Sequence, residues 1–173
     1  VHHPLDEAAT QGGEMLVITK GSDEGLDTLR HSTAHLLAWA VQELFPDVKF
    51  AFGPNIENGF YYDFDMAHRL SPDDLKAIER AMKKIIGRRL PFERREMSRP
   101  EAQEFFSSCG QQYKLERLAD IAEGESITVY QCGDFVDLCR GPHVDHTGQV
   151  GAVKLLSIAG SYFRGDENNR MLQ

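Results

Sequence analysis

The stretch EGLDTLRHSTAHLLAWAVQELF, residues 24–45, is the longest helical pattern in the chain and decides the fold that we predict. Ser22 or Asp23 can cap its start, acidic residues occupy its first turn, and Pro46 follows its end. Apolar residues recur along it at helical spacing. They predict a buried stripe made of Leu26, Leu29, Leu37, Ala40 and Leu44.

Shorter elements are predicted after this helix. Two strands, 48–52 and 59–65, are separated by the turn-forming pairs Gly53-Pro54 and Asn58-Gly59, which is typical of a hairpin with a long loop. The patterns further predict helices over 71–87 and 98–108, and strands over 92–97, 127–131, 135–138, 153–158 and 161–164. Helices and strands mix without strict βαβ alternation. We therefore predict an α+β fold, in which a largely antiparallel sheet packs with the long helix beside a smaller α/β subdomain.

The length and composition indicate one globular domain with a short appendage. A chain of 173 residues can bury a core without disulfide or metal crosslinks. No apolar run approaches the ~18 residues of a membrane span, which argues against an integral membrane protein. The net charge of −8 argues against a basic nucleic-acid-binding protein. Lysines and arginines do concentrate in residues 69–99, and we interpret those on the helix 71–87 as a solvated face.

The first residues of the sequence and its cysteines bear on the cellular compartment of the protein. The first residues, Val-His-His-Pro, lack the basic and apolar regions of a secretory signal, and the missing initiator Met leads us to expect a piece of a longer chain. Three cysteines are too few and odd in number for a disulfide framework, so we expect a cytoplasmic protein. Residues 1–21, with a short strand over 15–19, contain too little apolar material to fold alone, and 22–173 form the main domain.

Two histidines on the long helix form the first candidate site. His31 and His35 are four residues apart, so both imidazoles lie on one helix face and can converge on one small object. A single histidine in such a place is usually a partly buried residue without a ligand, but a pair at this spacing favours a site. A zinc protease needs Glu directly after the first histidine. Ser32 stands there instead, which excludes that class.

The segment DLCRGPH, residues 137–143, is the second candidate. Gly-Pro turns the chain, so we expect Cys139 and His143 to lie at a strand end and face the same way. Taken alone, the cysteine is more often a small buried apolar residue than a ligand. Together with the two histidines of the long helix, these side chains make a His3Cys set. That set is either a complete tetrahedral metal site or a polar catalytic cluster without metal.

Two further segments hold candidate residues. In GFYYD, residues 59–63, strand alternation puts Tyr61 and Tyr62 on opposite faces, so only one of them can face a site. Lys114 follows Gln112-Tyr113 in a predicted loop. A loop lysine can meet a substrate, but from its pattern we predict that it is solvated.

These segments together resemble one protein family. HSTAH, GPNIENGFYYDFD, DLCRGPH and GSYFRGDENNRMLQ resemble the editing domain of bacterial threonyl-tRNA synthetases, in the same order and spacing, over residues 24–173. Residues 1–21 resemble the tail of the ubiquitin-like module that precedes that domain. The resemblance implies an ester hydrolase that deacylates tRNA(Thr) wrongly charged with serine. The aminoacylation domain is expected after Gln173, so this chain is not expected to charge tRNA.

The resemblance also implies a site. Its residues are His31, His35, Tyr62, Lys114, Asp137, Cys139 and His143. We expect His31 and Lys114 to handle the water and its protons, and His35 and His143 to hold the shape of the pocket. Asp137 is then expected to anchor the substrate amine.

The remaining roles concern the tRNA end and the metal. Tyr62 is expected to contact the terminal adenosine, and Cys139 to form a pocket wall rather than a nucleophile. No obligatory metal is expected. The alternative is zinc held by His31, His35, Cys139 and His143, in a non-catalytic structural or RNA-docking module. The expected partners are the acceptor end of tRNA(Thr) carrying serine and the catalytic and anticodon-binding domains of the parent chain, without a membrane.

Overall fold

The structure is a computed structural model that describes residues 18–19 and 21–173. Its longest element is α1 (Asp23–Leu44), as predicted, and the hydroxyl oxygen of Ser22 caps it by accepting from the backbone N–H of Gly25. The predicted apolar stripe is wrong at its end, since Leu44 is exposed. The helix is instead buried all round from residue 32 to 41, because other elements surround its middle turns.

Two nested antiparallel hairpins follow α1. The outer pair joins β1 (Lys49–Phe52) to β4 (Asp63–Asp65), and the inner pair joins β2 (Asn55–Ile56) to β3 (Gly59–Phe60). The strand predicted over 59–65 is therefore interrupted at residues 61–62. Tyr61 remains exposed there, whereas Tyr62 is buried.

The second helix, α2 (Pro72–Arg88), packs against α1 and closes the main core. The side-chain carboxylate of Asp74, the third residue of the helix, accepts from both the backbone N–H and the hydroxyl of Ser71, which precedes the helix. Ile78, Met82 and Ile85 are buried, while the lysines of the opposite face are exposed, which confirms the predicted solvated face. A short 3-10 turn, Thr147–Gln149, lies against the end of α2, where the Thr147 hydroxyl donates to the carbonyl of Ile85.

A three-stranded antiparallel sheet and two helices form the second part of the fold. The strand order is β5 (Glu93–Met97), β6 (Ile127–Cys132), β7 (Phe135–Leu138). The helices α3 (Arg99–Ser108) and α4 (Gln112–Asp120) pack on each other and share a small apolar core with this sheet. The helix α4 was not predicted, and it carries one of the candidate site residues.

The C-terminal segment departs most from the prediction. Residues 151–160, all within the described range, form neither helix nor strand, so the strand predicted over 153–158 is wrong. The backbone N–H of Leu155 donates to the Glu79 carboxylate instead of a strand partner, and Leu156 is 87% exposed. The strands β8 (Ser161–Tyr162) and β9 (Met171–Leu172) then pair with each other.

The α+β class is confirmed. In the described residues the strands form four small sheets whose pairings are all antiparallel, rather than one larger sheet. None of the described helices combines the length and apolar character that crossing a membrane requires. The strand predicted over 15–19 falls largely outside the described residues, and Ile18 and Thr19 are not in a strand.

Candidate active site

The two histidines of α1 face the loop that follows β7. The rings of His31 and His35 lie 4.9 Å apart, centroid to centroid. Nε2 of His31 lies 2.9 Å from Sγ of Cys139, and Nε2 of His143 lies 3.4 Å from the same sulfur. The structure thus brings together two pairs of side chains that are more than a hundred residues apart in the sequence. Their donor atoms all lie within 4.8 Å of one another.

The ring of His143 is held between two aromatic side chains. It stacks on Phe92 at 4.7 Å between centroids and meets Tyr130 edge-on at 4.4 Å. The chain reaches this position through Gly141, whose φ of +71° suits glycine and whose missing side chain leaves room for the Tyr130 hydroxyl. These contacts fix the imidazole in place.

The cluster of His31, His35, Cys139 and His143 is electrically neutral. Burial lowers the pKa of His31 and holds those of His35 and His143 well below the usual value of 6.5. A proton on a neighbouring histidine would lower the pKa values of His35 and His143 further. Burial also raises the pKa of the Cys139 thiol to about 12, so the sulfur carries its proton near neutral pH. A neutral imidazole can accept a proton, whereas this thiol is a poor nucleophile.

The same four residues form a donor set that zinc accepts. Three imidazole nitrogens and one sulfur are the number and kind of ligand atoms that a tetrahedral zinc site needs. Two ligands of one zinc ion lie ~3.5 Å apart, given bonds of 2.0–2.3 Å. The distance of 2.9 Å between His31 and Cys139 is a hydrogen-bond contact and would have to open for an ion. Zinc bound there would require the thiolate of Cys139 and would act as a Lewis acid.

Beside this cluster lies a buried ion pair. Nζ of Lys114 is 2.7 Å from Oδ1 of Asp137, and it donates to the Tyr62 hydroxyl oxygen at 2.9 Å. The Tyr62 hydroxyl in turn donates to Oδ2 of Asp137 at 2.6 Å. Nε2 of His35 lies 3.9 Å from that oxygen and connects the pair to the histidine cluster.

The prediction that Lys114 is a solvated loop residue is wrong. Lys114 lies in the first turn of α4 and is 5% exposed. The side chain of Gln111, just before the helix, bonds to backbone groups of Val48 and Phe50 and ties this end of α4 to β1. Leu118 is buried four residues after Lys114, and that helical spacing is the sequence signal that places the lysine on the inner face.

A cavity of about 360 Å³ joins the cluster and the ion pair. His31, His35, Tyr62, Lys114, Asp137 and Cys139 line it. His143 lies behind this wall. Residues that sequence reasoning missed also contribute, namely Phe52, Gly53, Arg117, Ser126, Thr128 and Arg140. Gly53 and Arg140 belong to motifs already quoted from the sequence, whereas the other four lie on separate elements that no local motif marks.

Comparisons with known proteins agree with the sequence resemblance. The family described as the threonyl and alanyl tRNA synthetase second additional domain matches residues 127–173. The chain is 54% identical over 163 residues to the threonine–tRNA ligase of Geobacillus kaustophilus, which covers 94% of this chain and 25% of that protein. It is 52% identical over 163 residues to threonine–tRNA ligase 1 of Bacillus subtilis, with the same coverage. The chain therefore spans about a quarter of the length of these relatives.

Proposed function

We propose that the chain, which is similar to one segment of the bacterial threonyl-tRNA synthetases, is their editing domain and hydrolyses seryl-tRNA(Thr). One observation supports this function above the others. Two neutral histidines of the cluster, His31 and His35, and the buried Lys114–Asp137 ion pair line the same cavity. Such a cavity offers a proton acceptor and fixed charges to a small polar ester, and a purely structural site needs neither.

The chemistry required is the hydrolysis of an activated ester. A water molecule must lose a proton as it attacks the carbonyl carbon, and the ribose oxygen must regain one as it leaves. His31, whose pKa is lowered, lines the cavity, accepts the proton of the water and returns a proton to the ribose oxygen as it leaves. The Lys114 ammonium, held by Asp137 and the Tyr62 hydroxyl, has one N–H left, which donates a hydrogen bond to the attacking water.

The remaining residues position the substrate. The Asp137 carboxylate holds the ammonium group of the aminoacyl ester, and Tyr62 contacts the terminal adenosine. His35 and His143 hold the shape of the pocket through their contacts with each other, at 4.3 Å between centroids. Cys139 forms a wall of the cavity, since burial keeps its thiol protonated.

The need for such a site follows from the size of the two amino acids. Serine is threonine without one methyl group, and a pocket that admits threonine cannot exclude serine. A missing methyl group is worth only about 1–3 kcal/mol of discrimination in one pocket. A second pocket that clashes with the extra methyl group rejects threonine and selects the serine ester.

The parent protein and its partners belong to the same proposal. Residues 22–173 form the editing domain, and residues 1–21 are the tail of a preceding ubiquitin-like module. The partners are the acceptor end of tRNA(Thr) and the catalytic and anticodon-binding domains of a cytoplasmic threonine–tRNA ligase.

A second function, a zinc-binding structural module, is favoured by the His3Cys set itself. In that case the four donors surround an ion and leave no open position for water. We rank it lower because the buried Lys114–Asp137 pair next to the cluster has no part in it.

The experiment that tests the proposed function measures deacylation of seryl-tRNA(Thr) by the 173-residue chain, present in excess over the tRNA. We expect His31→Ala to lower the rate by about 10²–10⁴-fold, as is usual for the loss of a general base. His68→Ala is the control, because His68 is a half-exposed histidine that does not line the cavity. Equal rates for the wild type and His31→Ala would contradict the proposal.

A further inference from the structure

The hydroxyl of Ser32, a residue outside the predicted site, has three hydrogen-bond partners. Ser32 lies on α1 next to His31 and is fully buried. Its Oγ is 2.8 Å from the carbonyl oxygen of Thr28 and accepts from the backbone N–H of Val144 at 3.0 Å. The third partner is Nδ1 of His143, also at 3.0 Å.

The number of hydrogens available decides the direction of the third bond. A hydroxyl has one hydrogen, and the Thr28 carbonyl has none, so the Ser32 hydrogen must lie between these two oxygens. The bond to His143 can then form only if Nδ1 carries a hydrogen and donates it. Both ring nitrogens of His143 contact uncharged groups, the Ser32 hydroxyl and the Cys139 sulfur, so the imidazole is neutral and its other nitrogen, Nε2, carries a lone pair.

The same count continues at the Cys139 sulfur, which has three partners. The backbone N–H of Gly141 donates to it at 3.1 Å. Since Nε2 of His143 has no hydrogen, the Cys139 thiol donates its hydrogen to that nitrogen. The sulfur then has no hydrogen left for His31, so Nε2 of His31 must donate to it. The lone pair of His31 is therefore on Nδ1, in a ring that lines the cavity.

We propose that Ser32 is a positioning residue that sets the tautomers of His143 and, through Cys139, of His31. His143 is protonated on Nδ1 and His31 on Nε2. The lone pair on Nδ1 of His31 then accepts the proton of the attacking water. This last step alone rests on the proposed function.

The neighbouring residue supplies a matched control. The hydroxyl of Thr33 donates to the carbonyl of Leu29 at 2.7 Å. Ser32 makes the same kind of bond, to the carbonyl four residues before it, with Thr28. Thr33 is equally buried, and it does not line the cavity. Thr33→Val removes a hydroxyl from the same buried helix without touching the chain of bonds from Ser32 to His31.

The test is nitrogen NMR of the 173-residue chain labelled with 15N-histidine, because the two ring nitrogens shift differently in each tautomer. Signals are assigned by replacing single histidines. We expect Nδ1–H for His143 and Nε2–H for His31 in the wild type and in Thr33→Val, and a shift of both toward the other tautomer in Ser32→Ala. Nε2–H for His143 in the wild type, or unchanged tautomers in Ser32→Ala, would overturn the proposal. If Ser32→Ala does not fold, the tautomers of His143 and His31 in the wild type decide whether the proposal holds.

A kinetic measurement separates this proposal from the proposed function. With the chain in excess over seryl-tRNA(Thr), Ser32→Ala is expected to lower the maximal rate by about tenfold and leave the half-saturating concentration unchanged. Thr33→Val is expected to leave both unchanged. If the tautomers are as expected but no form hydrolyses seryl-tRNA(Thr), the positioning role stands and the proposed function fails. An unchanged rate in Ser32→Ala despite altered tautomers would overturn the link to catalysis.

Discussion

Lys114 and Asp137 form an ion pair with 2.7 Å between nitrogen and oxygen, and both side chains are more than nine-tenths buried. The lysine comes from α4 and the aspartate from β7, so the pair joins two elements of the fold at the wall of the cavity. A buried charge is costly unless it is paired. The backbone N–H of Leu138 donates to the same oxygen, Oδ1, at 2.8 Å, and the Tyr62 hydroxyl donates to Oδ2 at 2.6 Å, which leaves one of the about four acceptor positions of the carboxylate open.

The first prediction is that Lys114→Ala strongly destabilises the chain. The substitution leaves the Asp137 carboxylate buried without a counter-ion, which costs about 3–5 kcal/mol in the free energy of unfolding. Urea denaturation measures this loss. Lys76→Ala is the control, because the ion pair of Lys76 with Asp73 is exposed. We expect no change in its denaturation midpoint. A similar midpoint for both variants would contradict the prediction.

The second prediction concerns pH. The pKa values of His35 and His143 are well below 6.5 in the folded chain, so the unfolded chain binds more protons at acidic pH. Their contribution to stability is therefore complete above pH ~6.5 and is lost as the pH falls below that value. Thermal unfolding between pH 8 and pH 5 tests this. We expect the melting temperature to fall on acidification, and to fall less in His143→Gln. A melting temperature that is constant or rises would count against buried neutral histidines.

The third prediction is that Cys139 reacts slowly with iodoacetamide. Its pKa of about 12 leaves a thiolate fraction on the order of 10⁻⁴ at pH 8. Cys109 is exposed and is expected to react first. Mass spectrometry of the alkylated peptides gives both rates in one sample. If Cys139 reacted as fast as Cys109, the sulfur would be an activated thiolate, and its assignment as a passive wall would be wrong.

The fourth prediction is that removal of metal does not unfold the chain or abolish hydrolysis. The neutral cluster is held by its own hydrogen bonds, including those of Cys139 to His31 and to Gly141. Protein treated with a chelator should keep the melting temperature and the deacylation rate of untreated protein. Elemental mass spectrometry verifies that zinc has been removed. Loss of the fold on chelation, restored by one equivalent of zinc, would favour the zinc-binding module instead.

Local patterns predict some parts of this molecule and not others. The spacing of four residues places His31 and His35 together on α1, and the capping residues before α1, α2 and α3 mark where these helices begin. The contact of His31 with Cys139 joins segments 108 residues apart. Periodicity within a helix or strand carries no information about such a contact. The sequence grouped these residues through their chemistry, as a possible His3Cys set, and through the family resemblance.

Lys114 and the segment 153–158 show why the other predictions failed. A lysine is predicted to be solvated because its charge is costly to bury, but Asp137 offsets that cost from a distant strand. The apolar residues of 153–158 suggested a strand, yet the Glu79 carboxylate of α2 takes the backbone N–H of Leu155. In both cases a tertiary partner overrides a local preference.

The most direct measurement compares the deacylation rates of seryl-tRNA(Thr) and threonyl-tRNA(Thr), each at trace concentration with the wild-type chain in excess. Excess protein ensures that weak binding of tRNA by a quarter-length chain does not hide the reaction. We expect the seryl ester to be hydrolysed faster by a factor of about 10 or more, the discrimination that one methyl group provides. Equal rates for the two esters, or rates no higher than those without protein, would contradict it.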